Sequence, residues 1–108
     1  MLSHSFKIYV PGTVDVNKVF DASGEISAAL AFLSGLFGGA TSYDARGAWV
    51  SKSSGLVLEN VCICVGFCSW RQKIVHRAAV VAYCRDLCRR LNQECISLEI
   101  DGRLFFIS

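Results

Sequence analysis

Six cysteines carry the most varied chemistry in this chain, since a thiol can bind a metal, form a disulfide or act as a nucleophile. They fall into three groups: Cys62, Cys64 and Cys68; Cys84 and Cys88; and Cys95. The spacing within the first group and the spacing within the second both differ from the paired ligands typical of a zinc site. A soft-metal site would join Cys84 and Cys88 to Cys62 and Cys64, but small core hydrophobes are the commoner role of buried thiols. We predict core thiols, no metal and no cofactor.

Arginines in the second predicted helix indicate a different kind of site. Arg85 and Arg89 project along one helix edge and could contact a small anionic, nucleotide-like ligand. A solvated basic face, partly neutralised by Asp86, is the alternative. Arg77 falls within the apolar stripe of this helix, so we expect it to extend to solvent or to pair with Glu59.

Polar and aromatic side chains in the strands give further candidates. Glu59 interrupts an apolar stretch, and either Glu59 or His76 could act as a general base. Trp49 and Gln93 are candidates for ligand contacts. Aromatic residues could line a pocket or stack on bases, although core packing or a dimer face is the simpler role. They are Tyr9, Tyr43, Trp49, Trp70 and Phe106.

The glycine-rich stretch "FGGATSYDARGAW", residues 37–49, is not predicted to bind phosphate. A phosphate-binding loop follows a strand and opens a helix, so that backbone N–H groups meet the anion. Here the order is helix, glycines, strand. We therefore predict that Gly38 and Gly39 end a helix in left-handed conformation, and that Gly47 marks a bulge or a close backbone approach.

Hydrophobic periodicity predicts a ferredoxin-like β-α-β-β-α-β-β sandwich, an α+β fold with two helices on one face of an antiparallel sheet. Ser23 is predicted to cap the first helix. The second helix is expected over 70–92, with an apolar stripe formed by Ile74, Val81, Cys84, Cys88 and Leu91. Asp101 and Gly102 form a two-residue hairpin signal. The remaining predicted elements are a strand in "FKIYVPG", a loop over 11–20, and strands in "ATSYDARGAWV", "LVLENVCICVGFC", "ECISLEI" and "RLFFIS".

Composition narrows the function classes. The 108 residues fit one domain, 1–108, and 53% apolar content supports a substantial core. A net charge of +2 argues against a dedicated duplex-DNA protein. No apolar run is long enough for a membrane span, and the N-terminus does not resemble a signal peptide. We expect a cytoplasmic protein without a membrane partner.

Over nearly its full length, the chain resembles short uncharacterised bacterial proteins that are often found on mobile elements and phages. The resemblance rests on "KIYVPGTVDVN", "LFGGATSYDARGAWVSKSSGLVLEN" and "LNQECISLEIDGRLFFI", with its Gly-Gly-x-Thr, Gly-x-Trp and Gln-Glu patterns. It brings no activity with it. It implies a role in transfer, regulation or antagonism of host defence.

The leading hypothesis is a non-enzymatic binding or interaction protein that sequesters a small anionic ligand or blocks a host defence protein. It is expected to be a homodimer through the sheet face that carries Leu104 and Phe106. A small enzyme on a dimeric ferredoxin-like scaffold is the first alternative, and a single-stranded nucleic-acid binder is the second, with nucleic acid the least expected partner. The predicted ligand contacts are Trp49, Glu59, Arg77, Arg85, Arg89 and Gln93.

Overall fold

The structure, a computed structural model, describes residues 1–15 and 18–108. Those residues form two helices and seven strands in the predicted α+β order, and a short β2–β3 hairpin precedes the first helix. The elements are β1 (His4–Pro11), β2 (Thr13–Val14), β3 (Lys18–Val19), α1 (Ser23–Phe37), β4 (Thr41–Ser51), β5 (Gly55–Cys68), α2 (Trp70–Arg90), β6 (Ile96–Ile100) and β7 (Arg103–Ile107).

The main sheet is antiparallel, with strand order β4-β5-β1-β6-β7. The four strands of the repeated β-α-β unit therefore take the ferredoxin-like order, and β7 adds an outer strand. The predicted Asp101-Gly102 hairpin is confirmed, since Leu98 pairs with Phe105 across it. Both turn residues have left-handed backbone, with φ of 51° and 81°.

Both helices pack on one face of this sheet, which we call the covered face; the other is the open face. Alternation along β1 places Phe6, Ile8 and Val10 on the covered face, where each is fully buried. Lys7 and Tyr9 point to the open face and are half-buried.

The cysteines contribute to the core under the helices, as predicted. Five of the six are buried free thiols, and Cys95 is exposed. Burial raises the pKa of Cys64 and of Cys84 to about 12, because a low-dielectric surrounding disfavours the thiolate. These two thiols therefore behave as small hydrophobic groups at neutral pH.

The ends of α1 match the prediction at one terminus only. Gly38 has a φ of 90°, and its N–H donates to the Ser34 carbonyl at 2.8 Å, which confirms the left-handed end of the helix. Ser23 is not the cap, as predicted, but the first helical residue. The preceding Asp21 accepts the Ser23 N–H instead, at 3.0 Å.

Helix α2 begins with a capping box, in which Ser69 and Gln72 exchange hydrogen bonds of 3.0 and 3.2 Å. Most of its predicted apolar stripe is buried: Cys84, Cys88 and Leu91 lie in the core and Val81 packs against it. Ile74 is the exception and is exposed. Val80 and Leu87, which the predicted stripe did not include, are fully buried.

Two local predictions differ from the structure. Gly47 is not a bulge, because the β4–β5 register continues without interruption through the Gly47–Glu59 pair. The predicted loop over 11–20 contains the paired strands β2 and β3. Residues 16 and 17 of that loop lie outside the described residues.

We expect Gly66→Ala to destabilise the fold by about 1–3 kcal/mol, the usual cost of overpacking a core. A Cβ at Gly66 would lie 2.9 Å from Cδ2 of Phe37, whose ring stacks on Phe6 at 5.4 Å. Gly35→Ala is the matched control, because nothing lies within 4 Å of its added Cβ and alanine favours the helix. Urea unfolding should show a loss for the first variant and none for the second. Equal midpoints would contradict the close packing of α1 on β5.

Among the described helices, neither is long and apolar enough to cross a membrane.

Candidate functional site

A hairpin that extends past its neighbours creates a groove on the open face. Strand β1 pairs with β5 only as far as Pro11 and Val61, whereas β4 and β5 remain paired to Ser51 and Gly55. The groove lies between this extended hairpin and the segment that leads into β6, and it has a volume of about 630 Å³. That size is within the range of small-molecule sites.

Glu59 and Trp49 form the hairpin side of the groove. Both point to the open face, because their cross-strand partners Gly47 and Val57 share that face. Gly47 lies directly opposite Glu59, and a Cβ there would only make ordinary van der Waals contact with the Glu59 Cγ, at 3.7 Å. Within the described part of the chain, the half-buried Glu59 carboxylate has no hydrogen bond or ion pair.

Aromatic and apolar side chains line the groove around this carboxylate. Tyr9, Pro11, Val61, Ile63 and Phe106 all contribute to its surface. Trp49 is half exposed and Phe106 is 68% exposed, so both rings are accessible to a ligand. A groove of this kind suits a flat, partly apolar molecule that also carries positive charge.

Tyr9 is held in place by a charged pair beside the groove. Its hydroxyl donates to Glu99 Oε1 at 3.1 Å, and Lys7 Nζ lies 3.4 Å from Glu99 Oε2. Partial burial and the bond to Glu99 raise the pKa of Tyr9. Glu99 also raises the pKa of Lys7. Tyr9 therefore stays a protonated donor at neutral pH.

Gln93, Glu94 and Cys95 form the opposite side of the groove. The Gln93 amide donates to the Thr13 carbonyl at 2.9 Å, which joins two segments 80 residues apart. Partial burial, followed by the nearby Cys88, Glu94 and Glu59, raises the pKa of the Cys95 thiol. Among the described residues, the charged side chains that line the groove are two carboxylates, Glu59 and Glu94, and one guanidinium, Arg46.

The structure brings three of the six predicted contacts together and separates the other three. Trp49, Glu59 and Gln93 line the groove. Arg77, Arg85 and Arg89 lie on α2, which packs on the covered face.

The three arginines have other neighbours. Arg77 lies over the Phe105 ring, 5.4 Å from its centroid, rather than beside Glu59. Arg85 Nε donates to the Ser108 carbonyl at 3.2 Å, and Arg89 lies 3.6 Å from Asp86. Both arginines are exposed, in keeping with a solvated basic face.

The proposed base His76 is also remote from the groove. It lies on α2 and packs edge-on against Phe37, with ring centroids 5.7 Å apart. Its side chain is half-buried beside the core.

Sequence reasoning did not identify all of the polar groove residues, and Arg46, Glu94 and Cys95 are among those it missed. Glu94 appeared only within the Gln-Glu pattern, and Cys95 only as one of six thiols. The available signal was their position directly before a buried strand, where side chains often meet at a sheet end. In residues 1–15 and 18–108, no group of three or more His, Cys, Asp or Glu side chains could hold a metal ion.

Comparison with known proteins gives a match in structure but not in sequence. No protein-family model matches the chain, and no curated protein matches it. A phage SAM lyase in complex with S-methyl-5'-thioadenosine superposes with a TM-score of 0.67 at 20% identity, covering 97% of this chain and 88% of that one. The apo state of a phage SAM lyase gives a TM-score of 0.68 at 18% identity, covering 99% and 90%. The ferredoxin-like α+β fold is thus shared with these structures.

This comparison overturns the leading functional hypothesis. A non-enzymatic protein that sequesters an anionic ligand or blocks a host protein was predicted, but both structural neighbours are named as an enzyme. The placement of the arginines away from the groove agrees with this correction. The findings support the alternative of a small enzyme better.

Proposed function

We propose that this chain is a small lyase that cleaves S-adenosylmethionine (SAM) in the open-face groove and releases methylthioadenosine. The observation that carries the proposal is the groove itself: a carboxylate without a partner among the described residues, Glu59, faces a surface lined by aromatic residues. Near full-length similarity to a phage SAM lyase with bound methylthioadenosine supports the choice of substrate.

The charge of the groove suits this substrate. SAM carries a sulfonium centre, and a cation is attracted both by carboxylates and by the faces of aromatic rings. Glu59 and Glu94 supply two negative charges against the one positive charge of Arg46, and Trp49 supplies the ring with the strongest attraction for a cation. The adenine of the same molecule offers a flat surface for stacking.

A lyase cleaves SAM without consuming water, so the site has to bind the substrate and, in one route, accept a proton. The bond between the sulfonium sulfur and Cγ of the aminobutyrate chain breaks, and its electron pair stays on sulfur as the neutral thioether leaves. In the same step, either the substrate's own carboxylate oxygen forms a bond to Cγ, giving a lactone, or Cβ loses a proton and its C–H electron pair forms the Cβ–Cγ double bond of an alkene. Glu59 can accept that proton in the second route, and in both routes it can orient the cationic substrate.

The two tryptophans provide a direct test of ligand location. Trp49 lines the groove, whereas Trp70 is the first residue of α2. In a Trp70→Phe protein, methylthioadenosine is expected to change the fluorescence of Trp49 in a saturable manner. In the matched Trp49→Phe protein, the Trp70 signal should stay constant. A response from Trp70 alone would place the ligand elsewhere and contradict the proposal.

Truncation of the same ring should weaken binding. We expect Trp49→Ala to raise the Kd for methylthioadenosine about tenfold or more, since stacking on an aromatic ring contributes about 1–3 kcal/mol per base. Isothermal titration measures this change. An unaltered Kd would show that Trp49 does not contact the ligand.

We also propose that the chain forms a homodimer through the open face beside β7. Leu104 and Phe106 point to that face and are 50% and 68% exposed, in line with the predicted register. Burial of Leu104 by a second copy would remove apolar surface from water, while Phe106, at the margin of that contact, would still line the groove. Leu104→Asp should lower the mass measured by light scattering from two chains to one, and a monomeric wild type would contradict the proposal.

A further inference from the structure

Hydrogen bonds join two segments behind one side of the groove, residues 13–15 and residues 91–93. The Asp15 N–H donates to the Leu91 carbonyl at 2.9 Å, and the Asn92 side-chain amide donates to Asp15 Oδ1 at 3.1 Å. The Gln93 amide adds its bond to the Thr13 carbonyl at 2.9 Å. We call these five residues the loop clamp.

Backbone conformation sets two members of the loop clamp apart. Asp15 and Asn92 have φ of 51° and 49°, the left-handed region that non-glycine residues seldom adopt. Asp and Asn tolerate this region better than other side chains. Here the two outliers face each other across a side-chain hydrogen bond, so each helps to hold the other's conformation.

Asn92 also ends α2 and directs the chain towards the groove. Its N–H donates to the Arg89 carbonyl at 3.2 Å, and the next N–H, of Gln93, donates to the Cys88 carbonyl at 3.0 Å. This pair of bonds is a Schellman motif with Asn in the position usually taken by glycine. The Cys88 thiol donates back to the Gln93 carbonyl at 3.1 Å. Gln93 is therefore held from both sides.

Glu94 and Cys95 follow directly and line the groove, whereas Asp15 and Asn92 do not. We propose that Asp15 and Asn92 are positioning residues, which fix the 93–95 side of the groove and thereby set its affinity for the nucleoside part of the ligand. The choice of methylthioadenosine as the ligand depends on the proposed function. The effect of Asp15 and Asn92 on the position of the 93–95 segment does not depend on it.

Cys95 allows that position to be measured without any activity. It is the exposed cysteine, and the other five are buried, so its rate of reaction with a maleimide reports how open the 93–95 segment is. Asn92→Asp places two carboxylates face to face and should separate the loops. The added negative charge would by itself slow thiolate formation, so a faster reaction can only reflect opening.

Exchanging the two side chains between positions 15 and 92 should restore the hydrogen bond between the segments. Asp15→Asn keeps the acceptor oxygen and should behave like the wild type. In the double variant that combines Asp15→Asn with Asn92→Asp, the new amide at position 15 would donate to the new carboxylate at position 92 and restore the bond in the reverse direction.

We expect Asn92→Asp to react at Cys95 about fivefold faster and to bind methylthioadenosine about fivefold more weakly, with both effects reversed in the double variant. Asn92→Gly keeps the left-handed backbone, removes the side-chain bond to Asp15 and adds no charge. It should show the same two effects, and it replaces Asn92→Asp in the test if that variant folds poorly.

Unchanged Cys95 rates in Asn92→Asp and Asn92→Gly, or effects that the double variant does not reverse, would overturn the proposal. Altered Cys95 rates with unchanged methylthioadenosine affinity would overturn its ligand part. A wild-type protein that does not bind methylthioadenosine would instead contradict the proposed function. In that case the reaction rates of Cys95 would still test whether Asp15 and Asn92 position the 93–95 segment.

Discussion

Glu59→Gln is expected to lower kcat/KM for SAM cleavage by about 100-fold, which corresponds to about 2.7 kcal/mol. Glu59 is a half-buried carboxylate without a partner among the described residues, and it faces a groove in which a cationic substrate would also contact aromatic rings. Contacts of a charged group in such a setting contribute about twice as much as neutral ones. The substitution keeps size and shape, so the fold should persist.

Asp44→Asn is the control for this variant. Asp44 pairs with Cys62 on the covered face, across the sheet from Glu59, and lines a separate cavity of about 380 Å³. Its loss should leave SAM cleavage unchanged. Full activity in Glu59→Gln would remove Glu59 from the site. A higher KM at constant kcat would assign it to binding, and a lower kcat would assign it to the chemical step.

Asp101→Asn is expected to destabilise the fold by about 1–2 kcal/mol, allowing for the partial exposure of this side chain. The Asp101 carboxylate accepts hydrogen bonds from Lys73, from His4 at 2.8 Å and from the Ser5 N–H at 2.9 Å. It thus connects β1 and α2 to the β6–β7 turn. Asparagine tolerates the left-handed φ of 51° at this position, so the change tests the charge rather than the backbone.

The effect should depend on pH. Partial burial alone would raise the pKa of Asp101, but the bonds from Lys73, His4 and Ser5 outweigh it and hold that pKa well below its usual range. The stabilisation is therefore complete above the unfolded pKa of about 4 and is lost as pH falls towards the folded value. Urea unfolding should separate wild type from Asp101→Asn fully at pH 7 and by a smaller amount at pH 3, because pH 3 lies between the unfolded and the folded pKa. An equal difference at both pH values would contradict the charge-based account, and Asp44→Asn should show no such difference.

Local patterns predicted much of the fold. Alternation determined which side chains of β5 face the helices, and Asp101-Gly102 and Gly38 each act through backbone preferences of one or two residues. Such effects are short-range, so a single sequence contains them. Helical spacing also identified most of the buried side of α2, including Cys84 and Leu91, but it did not distinguish Ile74, which remains exposed.

Only part of the candidate site could be predicted from the sequence in this way. Trp49 and Glu59 share a hairpin, so their common face follows from the β-strand period. Gln93 joins them only because the chain returns to the same sheet end, and its contact with Thr13 spans 80 residues. The arginines of α2 formed a clear pattern, but the sheet separates them from the groove. Sequence spacing does not specify on which side of a sheet a ligand binds.

Product analysis by chromatography and mass spectrometry tests the central claim most directly. Purified wild-type protein incubated with SAM should release methylthioadenosine and a four-carbon amino acid product, lactone or alkene, with no oxygen taken from ¹⁸O-labelled water. Asp44→Asn should match the wild type and Glu59→Gln should be about 100-fold slower. SAM that remains intact, while methylthioadenosine leaves the Trp49 signal unchanged, would contradict the account.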